Sequence, residues 1–298
     1  MLDFDSGFDF DISRVFAEKL ETRYPFLSCE VIGRSYTGRG IFAFSIGNKL
    51  NQVLYVGGTH GCEYLTSMVL YKFIDTVCEK ILFDEPLWSV NFSALTNKFG
   101  MAFIPCLNPD GTEIALKGIS GAGNMRHITE KIPCDDYTKW NANAVGVDLN
   151  HNFDASWRKE RLLEIENGII AAAPRQFGGY SAESEPETRA VTTYCRRKKF
   201  RSLLSLHSQG EEILYKYENL ESPKSAMMAK IMASCCGYTL KENEGLASHA
   251  GMKDWFITEF RKPAFTFEIG KGENPLPFSD LDEIYSTLEE TLALFALM

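Results

Sequence analysis

Five histidines are scattered through 298 residues, and three of them lie at the ends of apolar runs or at turns beside glycine or asparagine. Such strand edges are where α/β sheets bind ligands. In VLYVGGTHGCEYL an apolar run ends at Gly57-Gly58, and His60 and Glu63 follow three residues apart as a helix begins. That spacing lets an imidazole and a carboxylate converge from a single turn. Both are zinc donors. A capping or core role is the competing reading, because His-x-x-Glu arises easily by chance. A second copy, His127 and Glu130, follows no strand and reads as solvated.

A third donor comes from FRSLLSLHSQG, an apolar strand ending in His207. Two histidines and one glutamate leave one coordination position open, which suits a catalytic zinc and its water; capping of a turn is the plainer role for His207. In PAFTFEIGKG, alternation puts Phe265, Phe267 and Ile269 on one face and Ala264, Thr266 and Glu268 on the other. Burying even a neutral polar group unpaired costs about 2–7 kcal/mol, so Glu268 needs a partner. Beside an activated water it would serve as general base and then general acid. Otherwise it pairs with Lys271 or Arg261. In WNANAVGVDLNHNFDASW, alternation after Val145–Val147 sends Asp148 and Asn150 to one side. Asp148 could accept a hydrogen bond from a metal-binding imidazole, or simply make an Asx turn.

The elements that must hold these residues alternate between helix and strand. The helices expected are Ser13 to Tyr24, Leu65 to Leu82, Glu183 to Lys199, Pro223 to Cys236 and Asp280 to Leu297. The strands expected are a hairpin of Cys29–Ser35 and Ile41–Ile46, then Gln52–Val56, Met101–Leu107, Ser202–Leu206, Ile213–Tyr217 and Ala264–Ile269. Thr112 to Ala144, glycine-rich and polar, reads as one long functional loop. No repeat or linker interrupts the chain. The expected fold is a single α/β domain over 1–298, with a central mixed sheet flanked by helices.

Composition narrows the function. Apolar residues make up 45% and charged residues 24%, ordinary for a globular protein with an ample core. The net charge of −9, with no Lys/Arg block, argues against nucleic-acid partners. No apolar run approaches the ~20 residues that span a bilayer, so no membrane partner is expected. Eight cysteines without a CxxC read as free thiols, and no secretory signal is evident, so the expected location is cytoplasmic.

Taken in order from Gly57 to Gly270, these segments resemble the zinc carboxypeptidase family of metallopeptidases. Asn108-Pro109-Asp110-Gly111 also matches a family motif. The resemblance implies one zinc per chain held by His60, Glu63 and His207, with Glu268 activating the water. It implies that Asp148 holds His60 and that Asn150 contacts a substrate carboxyl group. WNANAVGVDLNHNF, APRQFGGYSAESEPET, LHSQGEEILY and FTFEIGKGENPLP are most similar to the branch of bacterial γ-D-glutamyl-L-diamino acid endopeptidases. That branch implies a muropeptide-derived peptide substrate, cut between D-Glu(γ) and diaminopimelate. A cytoplasmic member would fit the recycling of imported muropeptides.

The chain departs from the carboxypeptidase pattern in three places. His151 replaces an arginine that grips the terminal carboxylate, and imidazole lacks the guanidinium fork. Arg126 is the expected substitute cation for the substrate or the oxyanion. Leu246 stands where a mobile tyrosine is expected, with His249 nearby. Lys253 stands at the floor of the side-chain pocket, where it would favour a carboxylate; the competing reading is a solvated lysine before Trp255. These departures leave a carboxypeptidase of unusual specificity, an N-acyl amino acid deacylase and a catalytically impaired peptide-binding module as other readings.

Overall fold

Alternation along the strands decides which residues face which layer. In the computed structural model, which describes residues 2–4, 7–220, 222–242, 245 and 249–298, the strands are β1 (Ser28–Arg34), β2 (Gly40–Gly47), β3 (Gln52–Val56), β4 (Gly100–Ile104), β5 (Ser202–His207), β6 (Glu212–Leu214), β7 (Thr239–Lys241) and β8 (Ala264–Glu268). They form one eight-stranded sheet in the order β1-β2-β4-β3-β5-β8-β6-β7. β4, β3, β5 and β8 run parallel, while the β1–β2, β2–β4 and β8–β6 pairs are antiparallel. The mixed sheet flanked by helices is the expected class.

The central strands are buried on both faces, as parallel strands between helix layers must be. Val53, Tyr55, Met101, Phe103, Leu204, Phe265 and Phe267 point into one core. That core is closed by α1 (Phe10–Arg23), α2 (Tyr64–Phe83), α8 (Pro223–Cys236) and α10 (Leu281–Phe295). α3 (Phe92–Lys98) caps its edge. Leu54, Val56, Ala102, Ile104 and Leu203 point the other way, onto α7 (Pro186–Lys198), α9 (Met252–Phe260) and the Leu149–Ala155 segment. No described helix is long and apolar enough to cross a membrane.

The segment expected as a loop from Thr112 to Ala144 is mostly helical. α4 (Pro109–Lys117) starts at Asn108, whose side chain accepts from Gly111 N at 2.9 Å, with Pro109 in the first turn. A 3₁₀ stretch over Gly118–Met125 and the short α5 (Arg126–Thr129) follow, then a 3₁₀ turn at Tyr137–Lys139. A small separate core, including Ile114, Ala122, Ile132 and Trp140, pins the segment down. α6 (Trp157–Glu166), α3, α9 and β7 were not expected. The strands expected over Met101–Leu107 and Ile213–Tyr217 are shorter, ending at Ile104 and Leu214.

Candidate active site

Three neighbouring parallel strands bring the candidate residues to one edge. His60 and Glu63 follow β3, and His207 and Glu268 are the last residues of β5 and β8, paired in register. The turn carrying His60 is packed too tightly for side chains. A Cβ on Gly61 would lie 2.3 Å from Gly111 O and 2.6 Å from Trp140 O. Asn108 clamps this turn, its amide donating to Thr59 O (3.2 Å), Asn141 O and Ala142 O (3.1 Å each). This is the structural work of the Asn-Pro-Asp-Gly motif.

His60 Nδ1 lies 2.9 Å from Glu63 Oε1, and His207 Nδ1 lies 3.1 Å from Glu63 Oε2 and 3.2 Å from His60 Nδ1. Asp148 Oδ1 sits 3.1 Å from His60 Nε2. An imidazole that donates to Asp148 through Nε2 carries a lone pair at Nδ1. That lone pair faces a carboxylate, and a second imidazole nitrogen faces both. Groups this close need a shared proton or a metal ion between them. Donor atoms at the corners of a tetrahedron with ~2.0–2.1 Å bonds are separated by about 3.3 Å, so the donor set and its spacing fit zinc. Without the cation, burial works against charge on these groups. The mutual attraction outweighs it, raising His60 well above the usual histidine range and lowering Glu63 to about 2. His207 Nε2 is buried with no hydrogen-bond partner among the described residues.

Glu268 faces this cluster and pairs with neither Lys271 nor Arg261; Lys271 is held by Glu211 at 2.8 Å. Burial and then the nearby Glu63 push the Glu268 carboxyl up to about 8, and a bound cation would oppose that shift. Asp148 serves both roles considered for it. It contacts His60, and it caps a 3₁₀ turn at Leu149–His151, accepting from Asn150 N at 3.1 Å. The segment is therefore not extended, and alternation is the wrong reason for Asp148 and Asn150 meeting at the site. Asn150 Oδ1 accepts from Met252 N at 3.0 Å and reaches the cleft through that turn.

The cleft has two recesses that share His60 and Glu268. The narrow one, about 130 Å³, is lined by Asn150, His151, His249, Lys253 and Asp254 among others. Lys253 is 2% exposed, so it is not solvated; its Nζ donates to Lys216 O at 2.7 Å and to Asp254 Oδ1. His151 backs onto two buried carboxylates, with Nδ1 3.1 Å from Glu160 Oε1 and 3.3 Å from Glu164 Oε1. Arg161 pairs with Glu164. His249 Nδ1 lies 3.1 Å from the Tyr217 hydroxyl. Leu246 lies outside the described residues.

The wide recess, about 550 Å³, is lined by residues that include Lys139, Asn141, Arg175, Ser208, Gln209 and Glu273. Arg126 is not among them. It sits on α5 with its side chain 62% exposed, 3.6 Å from Glu130. Helix formation from 118 to 129 carries it onto the surface, and Lys139 and Arg175 line the wide recess instead. Arg175 lies inside APRQFGGYSAESEPET and Lys139 immediately precedes WNANAVGVDLNHNF, two stretches already singled out. His127 is exposed, as expected of the solvated copy.

Residues 14–293 match the family described as zinc carboxypeptidase. The chain is 31% identical over 291 residues to gamma-D-glutamyl-L-diamino acid endopeptidase 1 of Lysinibacillus sphaericus, covering 97% of this chain and 71% of that protein. It is 34% identical over 275 residues to the uncharacterized protein YqgT of Bacillus subtilis (strain 168), covering 90% and 72%. Bovine thrombin-activatable fibrinolysis inhibitor, solved in complex with tick carboxypeptidase inhibitor, superposes with a TM-score of 0.74 at 22% identity, covering 97% of this chain and 96% of that one. Kinship along nearly the full length, joined to a zinc-compatible donor set, makes this chain a zinc-dependent peptidase of the zinc carboxypeptidase family.

Proposed function

We propose that the chain hydrolyses the amide between the γ-carboxyl of D-glutamate and diaminopimelate in peptidoglycan-derived peptides. The observation that carries this reading is the buried Lys253–Asp254 pair in the narrow recess beside Asn150. Diaminopimelate ends in both an amino group and a carboxylate. Lys253 and Asp254 neutralise each other, and a zwitterionic end can exchange ion pairs with them without leaving a charge unmatched, whereas a singly charged side chain cannot. His151, backed by Glu160 and Glu164, lacks the fork that grips a plain C-terminal carboxylate. The relative named as a γ-D-glutamyl-L-diamino acid endopeptidase supports the same assignment.

In this reading His60, Glu63 and His207 hold the zinc, and Asp148 fixes the His60 tautomer. The ion, when bound, acts as a Lewis acid on the scissile carbonyl and on the attacking water. Glu268 takes a proton from that water and passes it to the leaving amine. Asn150, His151 and Lys253 position the diaminopimelate side. All eight cysteines are free, which suits a reducing compartment such as the cytoplasm.

The test compares zinc-dependent hydrolysis of L-Ala-γ-D-Glu-diaminopimelate with that of an ordinary C-terminal peptide, with products identified by mass. Release of diaminopimelate, with little cleavage of the ordinary peptide, is expected. The opposite preference would return the chain to the carboxypeptidases.

A further inference from the structure

Lys139 and Arg175 line the wide recess, and neither is in an ion pair among the described residues. The backbone holds them on one wall. Pro174 O accepts from both Asn141 N and Ala142 N at 2.9 Å, tying together the two segments that carry the cations. On the other side of Arg175, Gln176 N donates to Asp148 Oδ2 at 2.8 Å. Arg175 is thus fixed between a knot to Asn141 and a knot to the carboxylate that holds His60. Arg175 lines the recess together with Cys62. Glu273 lines the same recess, so the recess as a whole is not simply cationic.

The narrow recess takes the leaving-group side in the function proposed above, so the wide one takes the acyl side. A γ-linked glutamate differs there from any α-linked residue. Its α-carboxylate is free and branches off three carbons beyond the scissile carbonyl, about 5 Å away when extended. Among the described residues neither cation on that wall is in an ion pair, and such a substrate brings a carboxylate to meet them.

We propose that Arg175 and Lys139 form a carboxylate-binding site that grips the free α-carboxylate of a γ-linked acyl group, with Arg175 as the principal, fork-shaped contact. The site selects γ-linkage over α-linkage by charge. It rests on the γ-glutamyl reading for its place in catalysis, but it can be read out by binding alone.

The experiment is calorimetric titration of the zinc-loaded protein with L-Ala-D-Glu and with L-Ala-D-isoglutamine, whose α-carboxamide has the same shape without the charge. Wild type is expected to bind the carboxylate about tenfold or more tightly than the amide, equivalent to about 1.4 kcal/mol. In Arg175→Ala the ratio should fall to about one to three, and in Arg175→Ala with Lys139→Ala to about one, with affinity for the amide unchanged. Both side chains are exposed, so neither substitution disturbs a core. Equal wild-type affinities, no detectable binding of the carboxylate, or a ratio that survives in the double variant overturns the proposal. If the ratio behaves as expected while the diaminopimelate tripeptide is not cleaved, the anion site stands and the assigned reaction fails.

Discussion

Asp148→Asn tests how the site is held. The carboxylate satisfies donors on both oxygens: His60 Nε2 and Asn150 N at 3.1 Å on Oδ1, and Gln176 N at 2.8 Å on Oδ2. An amide has one acceptor oxygen and one donor nitrogen. With the oxygen toward His60, the new NH₂ confronts the Gln176 N–H. With the amide flipped, His60 Nε2 must become an acceptor, and its proton moves to Nδ1, the atom that faces Glu63 and His207. Both arrangements weaken zinc binding, the second by blocking a donor outright. Outer-sphere changes of this kind cost ~10–100-fold in metal affinity, about 1.4–2.8 kcal/mol. A hydrogen bond to a charged group contributes about 1.5–3 kcal/mol and a neutral one about 0.5–1.5, and their difference of about 1–1.5 kcal/mol falls at the lower end of that range. The zinc dissociation constant, measured by chelator competition, should rise ~10–100-fold. Melting curves of the apo and zinc-loaded forms should show a smaller zinc-induced stabilisation than in wild type. An affinity within about threefold of wild type, in a variant that melts cooperatively, would refute the claim that Asp148 sets the His60 tautomer.

Glu268→Gln should retain one zinc per chain, measured by elemental analysis, while kcat falls by at least ~10²–10⁴-fold; wild-type rates would remove Glu268 from the proton transfer. Gly61→Ala places a methyl 2.3 Å from a backbone carbonyl, so denaturant unfolding should show a loss of about 1–3 kcal/mol, and zinc content should fall as the His60 turn shifts. Glu187 is buried beside Glu185 and Asn143; burial, then Asp110 and Glu185, push its carboxyl up to about 8 from an ordinary value of 4.5. Between those values the folded state keeps a proton that the unfolded state has released, so this group makes stability fall as pH rises, by at most about 1.4 kcal/mol per pH unit. Glu187→Gln should therefore stabilise the protein more at pH 8 than at pH 5, and an identical change at both pH values would show that Glu187 is already ionised.

What the sequence reveals depends on whether a residue's role is local. His60 and Glu63 are three apart on one turn, and the alternation of PAFTFEIG separates Glu268 from the three apolar residues that enter the core. Periodicity suffices for these. α6 breaks the same rule: it buries Glu160 and Glu164 and exposes Leu162 and Ile165, the inverse of an amphipathic helix. Its polar face is buried because His151 and the Gly178 N–H, from distant segments, meet it, and no window along the chain contains that information. α9 is hidden likewise, because Lys253 and Asp254 are buried as a pair that compensates itself. The helices within 109–129 were concealed by glycines read as loop formers, although Asn108 and Pro109 carry a helix start signal. That error also misplaced the cation. Once residues 118–129 coil into helical turns, Arg126 turns to solvent beside Glu130. Pro174, tied to Asn141 and Ala142, sets Arg175 on the cleft wall. Identifying the cations of the wide recess therefore requires knowing which backbone segments are tied together, a long-range property, whereas the candidate zinc donors are legible locally, His60 and Glu63 on the turn that follows β3 and His207 at the end of β5.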